Sequence, residues 1–175
     1  MKLVILDPRP PELQALIDRR QQLGVDLYDE VWKGSHHVVP APNAEHAYVG
    51  HRLAIVLDPY ARAAGLAGTD PFNLGEPEDY RVPDRGYHRG APSGVWVATA
   101  AIVVEIVSPD DETYEKFDFY ARHGVEELLI ADPAERTVAF WRRTSDERYE
   151  LTPASALLGV SADHLTAAID WPAPG

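Results

Sequence analysis

The chain has 175 residues, 45% hydrophobic and 25% charged, which suits one globular domain with a hydrophobic core and excludes a disordered chain. Its 28 acidic and 16 basic residues leave a formal charge of −12, which argues against a broad basic surface for nonspecific nucleic-acid binding. Cysteine is absent, so disulfides and cysteine-ligated zinc are excluded, and carboxylates and the seven histidines are the metal ligands that remain.

The N-terminal apolar patch Leu3-Val4-Ile5-Leu6 breaks at Asp7-Pro8 before it reaches the length of a secretory core. No apolar run approaches a bilayer span, and a cytoplasmic protein without membrane contact is expected. Pro11 to Leu23 reads as a helix, with proline at its start, Leu13, Leu16 and Ile17 at helical spacing, and Gly24 as its stop. Leu27 to Val39 reads as a hairpin turning at Lys33-Gly34. Asn43 is a fitting cap for a helix from Ala44 to Ala64, whose apolar face carries Val49, Leu53, Val56 and Leu57. Asp70 to Gly94, rich in proline and glycine, reads as short strands joined by turns.

The clearest strand runs from Thr99 to Val107. It is apolar at nearly every position, as expected of a middle strand covered on both faces. A helix from Asp111 to His123 follows, ended by Gly124. Leu128 to Ala131 reads as a second buried strand, pairing with Thr137 to Trp141, and Ser161 to Ile169 as a closing helix. The alternation of apolar strands and helices gives an α/β fold.

Glu105 stands inside that clearest strand, between Val104 and Ile106. A buried carboxylate is costly to ionise unless a cation compensates it; a metal ion or a partner arginine would do so, and a position at the strand's exposed end would avoid the cost. Asp84 lies 21 positions before Glu105 and Lys116 lies 11 after it. A strand, a turn and a returning helix would bring Lys116 back over the strand end, with Tyr120 one turn on along the same face. Two carboxylates and a lysine suit phosphodiester hydrolysis: the acids hold Mg²⁺ or Mn²⁺, and the lysine stabilises charge as water attacks. Read singly, Asp84 beside Pro83 is also ordinary turn chemistry, and Lys116 on an amphipathic helix is also an ordinary solvated lysine.

The run Ile102 to Pro109, then Lys116, then Phe119 to Val125, then Leu129 to Pro133 resembles the signature of the Uma-two family. These are bacterial restriction-endonuclease-type proteins of the PD-(D/E)XK superfamily. Trp32-Lys33-Gly34, the Glu45-His46 pair and Val82-Pro83-Asp84 match the same pattern in order, so the resemblance spans roughly Tyr28 to Trp141. It implies a restriction-endonuclease-like core, a mixed β-sheet flanked by α-helices. It also implies one domain over 1–175, with a helical extension at 1–26, the core at 27–143 and a strand and helix at 144–175. Asp84 and Glu105 then take the two acidic positions as metal ligands. Lys116 stands in for the usual lysine two residues past the second acid, where this chain has Val107, and Glu45 takes an acidic position on the early helix. DNA is the implied substrate and a homodimer the expected assembly.

After Asp84 the sequence Arg85-Gly86-Tyr87-His88-Arg89 is polar where an apolar strand is expected, which would move Asp84 off a strand end. Arg81, Arg85 and Arg89 form a basic island that could contact phosphates, or an exposed polar strand or turn. His36 and His37 point to opposite faces of a strand, and His46 and His51 miss the spacing of a paired ligand site, so no histidine receives a metal role. Two further readings stay open: a catalytically inactive nuclease-fold protein that acts as an interaction module, and the same chemistry on RNA or a small phosphodiester.

Overall fold

The structure, a computed structural model, describes residues 3–108 and 112–173. Its elements in chain order are β1 (Leu3–Ile5), α1 (Pro11–Leu23), β2 (Glu30–Trp32), β3 (Ser35–Val38), α2 (Ala44–Ala63), β4 (Ala67–Thr69), β5 (Asn73–Glu76), β6 (Asp79–Arg81), β7 (Arg85–His88), β8 (Trp96–Val97) and β9 (Ile102–Ile106). A 3-10 turn (Thr113–Lys116) then runs into α3 (Phe117–Arg122), followed by β10 (Glu127–Asp132), β11 (Thr137–Arg143), β12 (Tyr149–Thr152), β13 (Ala154–Ser155), β14 (Val160–Ser161) and α4 (Ala162–Ala168).

The strands form two six-stranded sheets, ordered β1-β3-β2-β6-β5-β8 and β12-β11-β10-β9-β7-β4, with β13 and β14 as a separate pair. β9 and β10 run parallel, joined by the crossover through α3, while β7 and β11 flank them antiparallel. The architecture is α/β, a mixed sheet flanked by helices. Among the described residues no helix is long and apolar enough to cross a membrane.

β9 is buried at all five positions because both of its faces are covered. Side chains alternate across a strand. Ile102, Val104 and Ile106 meet Val49, Leu53 and Leu57 of α2 in one core, whereas Val103 packs with Phe119, Tyr120 and Leu128 in the other. Glu105 therefore shares the α3 face with Val103, a consequence of its register alone.

Two local expectations are corrected. The helix foreseen from Asp111 (a residue outside those described) is regular only from Phe117 and begins with the 3-10 turn. Residues i and i+3 eclipse in a 3-10 turn, and here that pair, Thr113 and Lys116, is buried together. The polar stretch after Asp84 is a buried inner strand, not an exposed one. Tyr87 is fully buried and donates to Asp58 Oδ1 at 3.2 Å, and His88 Nε2 lies 3.0 Å from Thr69 Oγ1. Gly86 lets the Phe72 ring close over the strand, since a Cβ there would stand 2.4 Å from it. Its polar groups have partners, so polarity does not keep β7 out of the sheet.

Candidate active site

Asp84 sits immediately before β7, whose first residue, Arg85, pairs with Val104 of β9. That register sets Asp84 beside the C-terminal half of β9, and the Ile106 amide donates to its Oδ2 at 2.7 Å. Its other oxygen, Oδ1, accepts from His46 Nε2 at 2.8 Å, and His46 Nδ1 lies 2.9 Å from Ser108 Oγ. Both ring nitrogens of His46 are thus engaged, one by Asp84 and the other by Ser108. His46 is the third residue of α2, and its amide donates to the Asn43 side chain that caps the helix, at 2.8 Å. The cap thus fixes the ring that holds Asp84.

On the α3 face, Glu105 Oε1 accepts from Lys116 Nζ at 3.2 Å and, in a short hydrogen bond, from the Tyr120 hydroxyl. The sequence places Lys116 and Tyr120 one turn apart on one face; Lys116 points back to Glu105, and Tyr120 reaches it as well. A further acid completes the cluster. Glu30 Oε1 lies 2.9 Å from Lys116 Nζ and accepts from the Val82 amide at 2.9 Å, while its Oε2 accepts from Trp32 Nε1 at 2.7 Å.

The charges in this pocket do not balance. Burial and the nearby Asp84 and Glu30 carboxylates push Glu105 up to about 8, against the opposing effect of Lys116. Burial works against the Lys116 ammonium, but Glu105 and Glu30 outweigh it and hold the lysine charged. For Glu30, burial is overcome by Lys116 and the Val82 amide, and its carboxyl is held below the usual range. The lysine thus neutralises Glu30, and Glu105 faces Asp84 with too little positive charge between them.

Most of the remaining residues named from the sequence have other partners. Glu45 is exposed in the first turn of α2. Arg81 is buried, its guanidinium stacked 4.2 Å from the Trp32 ring and 4.1 Å from that of Phe119 and donating to the Val31 carbonyl at 2.9 Å. Arg85 pairs with Asp70 at 2.6 Å, and Arg89, at the surface, with Glu126 at 2.9 Å. His36 and His37 do reach different partners, Asp29 at 3.4 Å and Glu112 at 3.3 Å. Sequence reasoning missed Glu30 and the contact of His46 with Asp84. For His46 a signal existed, an aromatic base three residues past a helix cap; for Glu30, one acid in Asp29-Glu30, none did.

A cavity of about 330 Å³ opens on the α2 face of β9, lined by His46, His51, Asp84, Arg85, Val104 and Ile106 among others. Glu105 and Lys116 do not line it, and Asp84 is the acid common to cavity and cluster. Among the described residues no group of three or more histidine, aspartate or glutamate side chains is arranged as a metal cage.

Residues 17–169 match the Uma2 family, described as "Putative restriction endonuclease". No curated protein matches the chain. Among solved structures, the chain is similar to a "putative nuclease belonging to DUF820" from Anabaena variabilis ATCC 29413, with a TM-score of 0.65 and 16% identity over 80% of this chain and 90% of that one. At that identity the likeness speaks for the fold, whereas the family match spans most of the sequence. The chain belongs to the Uma2 family, and its α/β core is that of a restriction-endonuclease-like protein.

Proposed function

We propose that this protein is a divalent-metal-dependent endonuclease that hydrolyses phosphodiester bonds of DNA, with Asp84 and Glu105 holding Mg²⁺ or Mn²⁺ and Lys116 assisting the attacking water. The observation that supports this reading is the nearness of Asp84, Glu105 and Lys116, brought together from three separate segments where negative charge is in excess. The donor set fits the metal. Both ligands are hard carboxylate oxygens, the class that magnesium and manganese prefer, and a bound cation would offset the burial and the repulsion that raise Glu105. Glu45 remains in solvent, so the proposed centre rests on two acids. When bound, the metal would polarise the phosphate and lower the cost of its developing charge.

The chain's own groups have distinct tasks in this reading. A lysine held protonated is no general base; it donates hydrogen bonds. Two of its three N–H groups are directed at Glu30 and Glu105. His46 and the Ile106 amide hold Asp84 in one orientation. Cutting both strands of a duplex needs two such sites, which a homodimer would supply.

One observation favours the inactive module instead: both oxygens of Asp84 and one of Glu105 already have partners within the protein. Calorimetric titration of Mn²⁺ into wild type and Glu105→Ala, with folding checked by circular dichroism, separates the two. The nuclease reading expects binding that the variant loses, and plasmid cleavage in Mn²⁺ that Lys116→Met lowers at least about 100-fold. Wild type that neither binds Mn²⁺ nor cleaves, with DNA present, would leave the interaction module.

A further inference from the structure

Glu30 has no part in the proposed catalysis, yet it lies closer to Lys116 than Glu105 does, 2.9 Å against 3.2 Å. Its own position is set by groups other than the lysine. The Val82 amide binds its Oε1 and the Trp32 indole N–H binds its Oε2. Trp32 is itself braced, stacked on His37 with ring centroids 4.5 Å apart and covered on its ring by the Arg81 guanidinium, which also lies over Phe119 of α3. Val82 stands two residues before Asp84 on the same segment. Glu30 is thus a fixed acceptor tied to the frame that carries Asp84, and Lys116 conforms to it.

Glu105 is held differently. Its hydrogen bonds are to the side chains of Lys116 and Tyr120, and among the described residues no backbone group pins it. A carboxylate that turns toward a cation gives up such bonds, and Lys116, buried to 7% exposure, would then lose a counter-charge in the protein interior. A buried ammonium stripped of its partner is strongly unfavourable. Glu30 removes that obstacle, since it keeps one salt bridge to Lys116 whatever Glu105 does.

Resting on the metal-dependent reading above, we propose that Glu30 is a positioning residue that anchors Lys116 so that Glu105 can be released to bind the metal. In Glu30→Gln the amide oxygen still accepts from Val82, but the NH2 group cannot accept from Trp32, the side chain offers no charge, and Lys116 has an ion pair with Glu105 alone. That pair then competes with the cation for the same carboxylate.

The test is a double-mutant cycle read by Mn²⁺ calorimetry on wild type, Glu30→Gln, Lys116→Met and the double variant, each confirmed folded by circular dichroism. Glu30→Gln is expected to weaken Mn²⁺ at least about tenfold in the wild-type background, the usual scale for a residue behind a metal ligand. In the Lys116→Met background the same change is expected to cost about threefold or less, because no lysine remains to lock Glu105. Equal losses in the two backgrounds would mean that Glu30 acts by bulk charge or fold alone, and would overturn the proposal while leaving the metal site standing. Wild type that binds no Mn²⁺ would remove the metal reading and this proposal together. Should Glu30→Gln fail to fold, Trp32→Phe loosens Glu30 without altering its charge, and must weaken Mn²⁺ in the same background-dependent way.

Discussion

At Glu105 two influences favour the ionised form and three oppose it. Burial leads, with Asp84 and Glu30 adding repulsion, and together they exceed the attraction of Lys116 and the hydrogen bond from Tyr120. The ordinary carboxyl value is 4.5, and the folded protein raises it to about 8. Between those values the metal-free native state keeps a proton that the unfolded chain has released, so raising the pH favours unfolding. The contribution of Glu105 to stability is therefore fully present below pH 4.5 and is lost as the pH rises through about 8. Urea midpoints measured across that window should fall more steeply for wild type than for Glu105→Gln, by at most about 1.4 kcal/mol per pH unit. Identical slopes would mean that Glu105 is ionised throughout, paired by Lys116 after all. Glu105 was legible from its setting, a charge in an unbroken apolar run. Glu30 was not, because Asp29-Glu30 looks like any acidic pair leading into a hairpin, and only the fold shows Asp29 turned to Arg20 and Glu30 to Lys116.

Elements were legible where one period dominated. α1 begins and ends where Pro11 and Gly24 direct, with Gly24 at φ 63° in the left-handed region that glycine adopts freely. The continuous apolar run of β9 and the shorter one of β10 lie side by side at the centre of their sheet. β7 was misread because its burial depends on distant partners, Asp58 for Tyr87 and Asp70 for Arg85, which no local window contains. α2 joins the two cases. Its cap could be read from Asn43, and the cap's amide partner, His46, proves to be the residue on Asp84. Asn43→Ala should lower stability by about 1 kcal/mol through loss of the cap, read from urea unfolding. It should also weaken Mn²⁺ binding, because a frayed first turn releases the imidazole that orients Asp84. A variant that loses stability but binds Mn²⁺ as tightly as wild type would show that Asp84 is held by the Ile106 amide alone.

Over the whole molecule, the charge of −12 has to be reconciled with the polyanionic substrate proposed above. The basic residues named for phosphate contact do not relieve it: Arg81 is inside, Arg85 is paired with Asp70 and Arg89 with Glu126. All three of these arginines are engaged within the protein, so the direct phosphate contacts they supply should be few. Each phosphate neutralised by a protein cation steepens the salt dependence of binding, by about 0.9 in the slope of log K against log salt. A shallow slope, of about two or three, is therefore expected here, in contrast to a protein that grips DNA through a basic groove. The attraction would come instead from the divalent ion between the carboxylates and the scissile phosphate. Duplex DNA should be retained on titration with Ca²⁺, which occupies oxygen sites, and released by a chelator at the same ionic strength. Fluorescence anisotropy of a labelled duplex over a salt series reads both quantities. Tight binding in chelator with a steep slope would place the DNA on a basic surface away from Asp84 and Glu105, and would separate binding from the proposed metal site.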